Sequence, residues 1–253
     1  MTSRTRSTIR RPGGLTGAEI TVDGLAGTLT DVLVRIQRTD GTSQVLRLKP
    51  ESPSFVVEAV PGSLQVAATY LSLGIEHILL GLDHLLFVLA LLILVDNWRR
   101  LVWTITAFTI AHSITLAAAT LGWVAVPPPP VEAVIALSIV FVAGEIVRSR
   151  QGRPSLSQRL PWLVAFTFGL LHGFGFAGAL SEIGLPQQQI PLALFTFNVG
   201  VEIGQLLFVG AVLLLARLPR LLHLPVPAWW ARAVAYGIGS VAVFWVIERV
   251  AAF

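Results

Sequence analysis

Four histidines and several acids occur inside strongly apolar stretches of this sequence. The segment EHILLGLDH contains His77, Asp83 and His84, and His112 and His172 follow in later apolar stretches. A charged side chain at the centre of a bilayer costs about 2.5–3.5 kcal/mol, so ionisable residues placed there indicate a function. Imidazole nitrogens and carboxylate oxygens are ligands for divalent transition metals. These residue types therefore predict a metal site built from nitrogen and oxygen donors.

The depth of the polar residues along their helices tests whether they share one site. His84, His112, His172 and Glu202 all fall about midway along predicted helices. Asn198 precedes Glu202 by one helical turn and lies on the same face, because residues four apart are neighbours on a helix surface. Ligands of one ion must lie at one depth, so we predict a central site shared by these helices.

The spacing of the first two histidines raises a separate question. His77 and His84 are seven residues apart, hence about 10.5 Å apart along a straight helix, too far for one ion to bind both readily. Either Gly74 and Gly81 permit a kink, or His77 forms an outer site and Asp83 with His84 a central one. We expect His77 to stand apart. The predicted metal-binding residues are His77, Asp83, His84, His112, His172, Asn198 and Glu202.

The composition places the chain in a membrane. Of its 253 residues 54% are hydrophobic and only 13% are charged, whereas about a quarter are charged in soluble domains. The absence of cysteine, with one methionine at the start, excludes thiolate and thioether metal sites. The positive charge comes from arginines spread between apolar segments, so nucleic-acid binding is not expected.

Six apolar segments after residue 62 are long enough to cross about 30 Å of hydrocarbon. We therefore predict an all-α integral membrane bundle of six transmembrane helices over residues 63–253. The expected spans are Ala67–Val95, Leu101–Gly122, Val131–Val147, Leu160–Ile183, Ile190–Ala216 and Trp229–Ala251.

Residues 1–62 have a soluble composition and predict a small β module. Val32, Val34 and Ile36 alternate with residues of the other face, and Gln44–Leu48 and Ser54–Val57 are typical of further strands.

Arginines concentrate in the first, third and fifth connections between spans, which places those connections in the cytoplasm. Both termini and the β module then lie outside the cytoplasm, and the helices span a bacterial inner membrane. The first 14 residues have no apolar signal region, so we expect a truncated start or a removed leader.

At these residues the sequence resembles the HupE/UreJ family of hydrogenase and urease accessory membrane proteins, regarded as nickel or cobalt permeases. His77, Asp83 and His84 match its His-x5-Asp-His signature, and His172-Gly173 resembles its second motif. In that motif the family has an acid after the histidine, where this chain has small and apolar residues, with Glu202 as a candidate substitute. The resemblance covers about residues 71–216 and implies transport of Ni²⁺ or Co²⁺, with an extracytoplasmic module before six helices.

Three functions remain open from the sequence. In the first, a permease, His77 captures the ion outside, the central residues bind it, and Asn198 with Glu202 completes or gates the site. In the second, an intramembrane zinc-dependent hydrolase, three histidines hold Zn²⁺ and Asp83 or Glu202 assists a metal-activated water. The third is a metal-stabilised scaffold or sensor. The expected partners are a metal ion (Ni, Co or Zn) and the lipid bilayer, and a homo-oligomer or an extracytoplasmic protein partner stays open.

Overall fold

The chain divides into two compact units, with the boundary between Gly62 and Ser63. The structure is a computed structural model. It describes residues 14–28, 31–37, 43–57, 61–153, 155–183, 189–223, 225, 227 and 229–252. Each unit is described by itself below.

The first unit contains short antiparallel strands. Its elements are β1 (Glu19–Thr21), a 3-10 turn (Leu25–Gly27), β2 (Val32–Gln37), β3 (Ser43–Leu48) and β4 (Ser54–Val56). β1 pairs with β4, and β2 pairs with β3, where Val34 lies opposite Leu46. The strands predicted from alternation are confirmed, whereas β1 was not predicted because its three residues are too few to show a period.

The second unit is helical. Its elements are α1 (Ser63–Leu80), α2 (Leu82–Leu94), α3 (Trp98–Thr120), α4 (Pro128–Arg150), α5 (Leu156–Arg159), α6 (Pro161–Ile183), α7 (Ile190–Leu215), α8 (Leu218–Leu221) and α9 (Trp230–Ala251). Among the residues described, α1, α3, α4, α7 and α9 are each long and apolar enough to cross a membrane. α2 and the segment Pro161–Phe176 of α6 are shorter apolar helices. The protein is therefore a multi-pass membrane protein.

The first predicted span, Ala67–Val95, is divided into α1 and α2, and the kink that the sequence left open for Gly74 and Gly81 occurs at Gly81. Gly81 separates α1 from α2 with extended backbone angles, φ −81° and ψ 96°. The break is local, because the Gly81 amide still donates to the His77 carbonyl at 3.0 Å and the Gly81 carbonyl still accepts from Leu85 at 3.1 Å. A Cβ at position 81 would lie 2.7 Å from the His77 carbonyl oxygen and 2.9 Å from Nδ1 of His84. Only glycine fits this close approach without a shift.

Glycines also set the helix pairs that surround the site. α1 packs on α7, α3 on α6, and α4 on α9. Gly74 and Gly200 lie against the backbone of the facing helix in the first pair, and Gly169 and Gly173 do so in the second. Small residues allow such close approach between membrane helices. Gly173, next to a predicted ligand, thus has a packing role.

A buried carboxylate anchors the connection between α4 and α6. Oε2 of Glu145 accepts from the Ser155 hydroxyl at 2.8 Å and from the Ser157 amide at 3.0 Å. Ser155 in turn caps α5 by accepting from the Gln158 amide at 3.3 Å. Glu145 is only 6% exposed, so these hydrogen bonds compensate its removal from water.

Candidate metal centre

Four histidine rings from α1, α2, α3 and α6 form one group. The ring centroid of His84 lies 4.6 Å from that of His77, 6.4 Å from that of His112 and 5.2 Å from that of His172. The ring centroids of His77 and His112 are 6.2 Å apart. The break at Gly81 brings His77 beside His84, so the expectation that His77 stands apart is wrong.

The Nε2 atoms of these four histidines share one property. Within the described part of the chain, each is buried and has no hydrogen-bond partner. Leaving a buried polar atom unpaired costs about 1–3 kcal/mol, and such atoms call for a functional explanation. Four such nitrogens in one group are available as donor atoms.

The opposite nitrogen of His84 and of His172 is held by an oxygen acceptor. Nδ1 of His84 donates to Oδ1 of Asp83 at 3.0 Å, and Nδ1 of His172 donates to the Phe168 carbonyl at 2.8 Å. A carbonyl and an ionised carboxylate cannot donate, so the proton of each neutral ring lies on Nδ1 and the Nε2 lone pair is free. Metal-binding histidines in proteins are held in this way.

His112 is oriented by an amide across the interface between α3 and α7. Its Nδ1 lies 3.1 Å from Oδ1 of Asn198. The amide is fixed in turn, because Nδ2 of Asn198 donates to the Leu194 carbonyl at 2.8 Å. Oδ1 therefore faces the ring, Nδ1 carries the proton, and the Nε2 lone pair of His112 is also free.

The donor atoms are close enough to serve one ion after small movements. One nitrogen from each of His77, His84 and His112 lies within 4.8 Å of the other two. Three atoms so spaced are at most about 2.8 Å from a common centre, whereas zinc–imidazole bonds are about 2.0–2.1 Å. Each ring needs to move by less than about 1 Å, so the donor set fits a divalent transition metal.

Two predicted ligands lie behind the histidines instead of beside them. Asp83 uses Oδ1 for both the amide and the ring of His84, at 2.9 and 3.0 Å. Asn198 uses its oxygen for His112. Both side chains are therefore placed to orient ligands, which the sequence does not reveal because it does not give the direction of each side chain.

Glu202 lies away from the histidines. Its Oε1 accepts a hydrogen bond of 2.6 Å from the hydroxyl of Thr106, and one turn further along α7 Gln205 accepts from Thr109 at 3.2 Å. Among the described residues, the group of metal-donor atoms contains His77, His84 and His112 and not Glu202. The face of α7 that carries Asn198, Glu202 and Gln205 thus lies against α3, and of these three side chains Asn198 contacts a histidine.

Sequence reasoning missed an arginine near the site. Nη2 of Arg249, in the last turn of α9, is 4.0 Å from Oδ2 of Asp83. Its Nη1 donates to the Glu132 carbonyl oxygen at 2.6 Å, and its Nε is 3.9 Å from the Glu132 carboxylate. A charge at a helix end resembles an interfacial anchor, so the sequence had no signal to single it out.

Comparison with known families supports the identity of the membrane unit. The family model described as HupE / UreJ protein matches residues 52–249. The chain belongs to the HupE/UreJ family. The match extends beyond the motif-bearing segment on both sides and includes the whole histidine group of this family member. Comparisons with curated proteins and with solved structures gave no significant match.

Proposed function

We propose that this protein is a permease that passes a divalent transition metal, Ni²⁺ or Co²⁺, through the histidine group. The observation that carries the proposal is the set of four buried Nε2 atoms without partners among the described residues. In three of the four rings, an acceptor on Nδ1 leaves Nε2 free as a ligand. The family is associated with nickel and cobalt, which supports the choice of cargo.

The spacing of the donors suits a transported ion. A site that conducts must bind its ion strongly enough to admit it and weakly enough to release it. The nitrogens of His77, His84 and His112 lie within 4.8 Å of one another, close enough to bind one ion, and any movement of the rings towards the ion would use part of the binding energy. We propose His77, His84, His112 and His172 as ligands, Asp83 and Asn198 as positioning residues, and Glu202 with Thr106 as a polar pair beyond the ligand group.

The orientation of the helices in the membrane is inferred from the arginines. We propose six crossings, with α1 and α2 together as the first and α3, α4, α6, α7 and α9 as the others. Arg99 and Arg100 in the first turn of α3 and Arg148 in the last turn of α4 lie at helix ends that face the cytoplasm under this arrangement. The membrane domain is then residues 63–253, and residues 1–62 form an extracytoplasmic module. For the permease we propose inward movement of the ion across a bacterial inner membrane.

A zinc hydrolase is the alternative that the histidines favour, since three histidines and one open position make a catalytic zinc site. Such an enzyme also needs a base beside the metal-bound water. The two acids that were candidates are committed elsewhere, because Asp83 holds His84 and Glu202 accepts from Thr106. The hydroxyl of Ser113, on α3, is engaged as well, because it donates to the Thr109 carbonyl at 2.6 Å. These contacts support transport over hydrolysis.

The test is metal uptake by proteoliposomes that contain the purified protein. We expect the wild type to accumulate Ni²⁺ or Co²⁺ and His84→Ala to abolish uptake. The control is His223→Ala, which removes an exposed histidine outside the group and leaves uptake unchanged. Equal uptake by wild type and His84→Ala would contradict the permease, and stoichiometric zinc that stays bound through purification would favour the hydrolase.

A further inference from the structure

The guanidinium of Arg249 lies between two carboxylates that belong to different helices. It is 4.0 Å from Asp83 on α2 and 3.9 Å from the side chain of Glu132 on α4. The 2.6 Å hydrogen bond to the Glu132 carbonyl and the ring of Trp245, 5.7 Å away, hold the group in this position. Neither carboxylate distance is that of a tight charge-assisted hydrogen bond, which is about 2.7–2.9 Å. The guanidinium of Arg249 is therefore shared between the carboxylates of Asp83 and Glu132.

This ion pair is connected directly to the metal centre. Asp83 has its Oδ2 towards Arg249 and its Oδ1 on Nδ1 of His84. The side chains of Asp83 and Arg249 are each 22% exposed, so solvent screens them only in part. Because arginine is always protonated in proteins, a fixed positive charge lies one carboxylate away from a metal ligand.

We propose that Arg249, shared between Asp83 and Glu132, is a counter-ion that lowers the affinity of the histidine group for its cation and thereby promotes release. This inference rests on the proposed transport function. Before a cation binds, the positive charge of Arg249 balances the negative charge of Asp83. When a divalent cation binds His84, it repels the guanidinium. The guanidinium keeps its hydrogen bond to the Glu132 carbonyl and pairs with the Glu132 carboxylate in place of Asp83, which frees Asp83 to polarise the ring.

The direction of the effect separates this role from a structural one. Removing the counter-ion leaves the charge of Asp83 unbalanced beside the site, so Arg249→Gln is expected to tighten binding by about tenfold, the scale of one charge interaction near a protein surface. Glu132→Gln removes the second partner, keeps Arg249 on Asp83 and is expected to weaken binding. A residue that only held Asp83 in place would give the opposite result for Arg249→Gln, because His84 would lose its support.

The experiment is calorimetric titration of Ni²⁺ and Co²⁺ into the purified full-length chain in detergent. Arg249→Lys keeps the charge and is expected to bind like the wild type. Arg232→Gln removes an exposed arginine at the opposite end of α9, and Glu248→Gln removes an exposed acid next to Arg249. Both controls are expected to leave affinity unchanged. In the background of Asp83→Asn, the gain from Arg249→Gln should shrink.

Tighter binding in Arg249→Gln with weaker binding in Glu132→Gln supports the proposal. Unchanged or weaker binding in a folded Arg249→Gln overturns it while the proposed function stands. If Arg249→Gln does not fold, Glu132→Gln decides, and binding equal to that of the wild type overturns the proposal. A wild type that binds neither metal overturns both this inference and the proposed function.

Discussion

His77 and His84 lie on opposite sides of a helix break, and their ring centroids are only 4.6 Å apart. Seven residues of straight helix would separate them by about 10.5 Å along the axis. The extended backbone at Gly81 removes that separation. One ion can therefore use a ligand from each side of the break, together with His112 from α3.

The break itself can be tested with Gly81→Ala. An added methyl group would lie 2.7 Å from the His77 carbonyl oxygen and 2.9 Å from Nδ1 of His84. We expect affinity for Ni²⁺ or Co²⁺ to fall by roughly tenfold or more, as when the support of a ligand is removed. Calorimetric titration measures the change.

The matched control for the break is Gly144→Ala in α4. A Cβ there meets no atom within 4 Å among the residues described, and alanine favours a helix over glycine by up to about 1 kcal/mol. Metal affinity should stay at the wild-type value. Normal affinity in Gly81→Ala would show that the close approach of the two histidines is not needed for binding.

Much of the fold could be predicted from the sequence, because long apolar segments and arginine-rich connections are local signals. The sequence allowed a kink at Gly74 or Gly81 but did not decide whether one occurs, since glycine inside an apolar helix more often serves packing, as Gly74 and Gly173 do here. Whether a glycine breaks a helix depends on the neighbours that the bend brings together. That information lies in the tertiary contacts of His77 and His84.

Asn198 should be needed for the orientation of His112 and not as a ligand. Asn198→Ala removes the acceptor of Nδ1, and we expect metal affinity to fall by about 10- to 100-fold, the usual loss for such partners. Asn198→Asp keeps an acceptor oxygen and should recover most of the affinity. Equal losses in the two variants would contradict an orienting role.

Glu202 should affect transport more than binding. Its carboxylate accepts a hydrogen bond from Thr106. Glu202→Gln is expected to keep the metal affinity within about twofold, because sites that share no partners act independently. Uptake by proteoliposomes should slow, because a polar pair beyond the ligand group is lost. A loss of affinity as large as that of His84→Ala would instead make Glu202 a ligand.

Glu145 should contribute to stability and leave the metal centre unaffected. Glu145→Ala removes the acceptor of the Ser155 hydroxyl and the Ser157 amide, and we expect a loss of about 1–3 kcal/mol. Thermal unfolding in detergent measures this change. The exposed Glu248→Ala should change stability by less than about 0.5 kcal/mol. Equal stability of the two variants would show that Glu145 does not anchor the connection.

The residue types of the site could be predicted from the sequence, but their roles could not. His112 and Asn198 are 86 residues apart in the chain, and their contact depends on how α3 and α7 pair. Asp83 directs its carboxylate to Nδ1 of His84, a direction that no spacing reveals. The contact of Arg249 with Asp83 also requires the packing of α9, which single helices do not specify.

X-ray absorption spectroscopy of the nickel-loaded or cobalt-loaded protein tests the central claim most directly, because it counts the imidazoles bound to the metal. The expected first shell contains the imidazoles of His77, His84 and His112, whose donor atoms form one group, and that of His172 as the fourth. His84→Ala should remove one imidazole from that shell, and His223→Ala should remove none. A shell of oxygen donors with at most one imidazole, unchanged by His84→Ala, would contradict a shared histidine site.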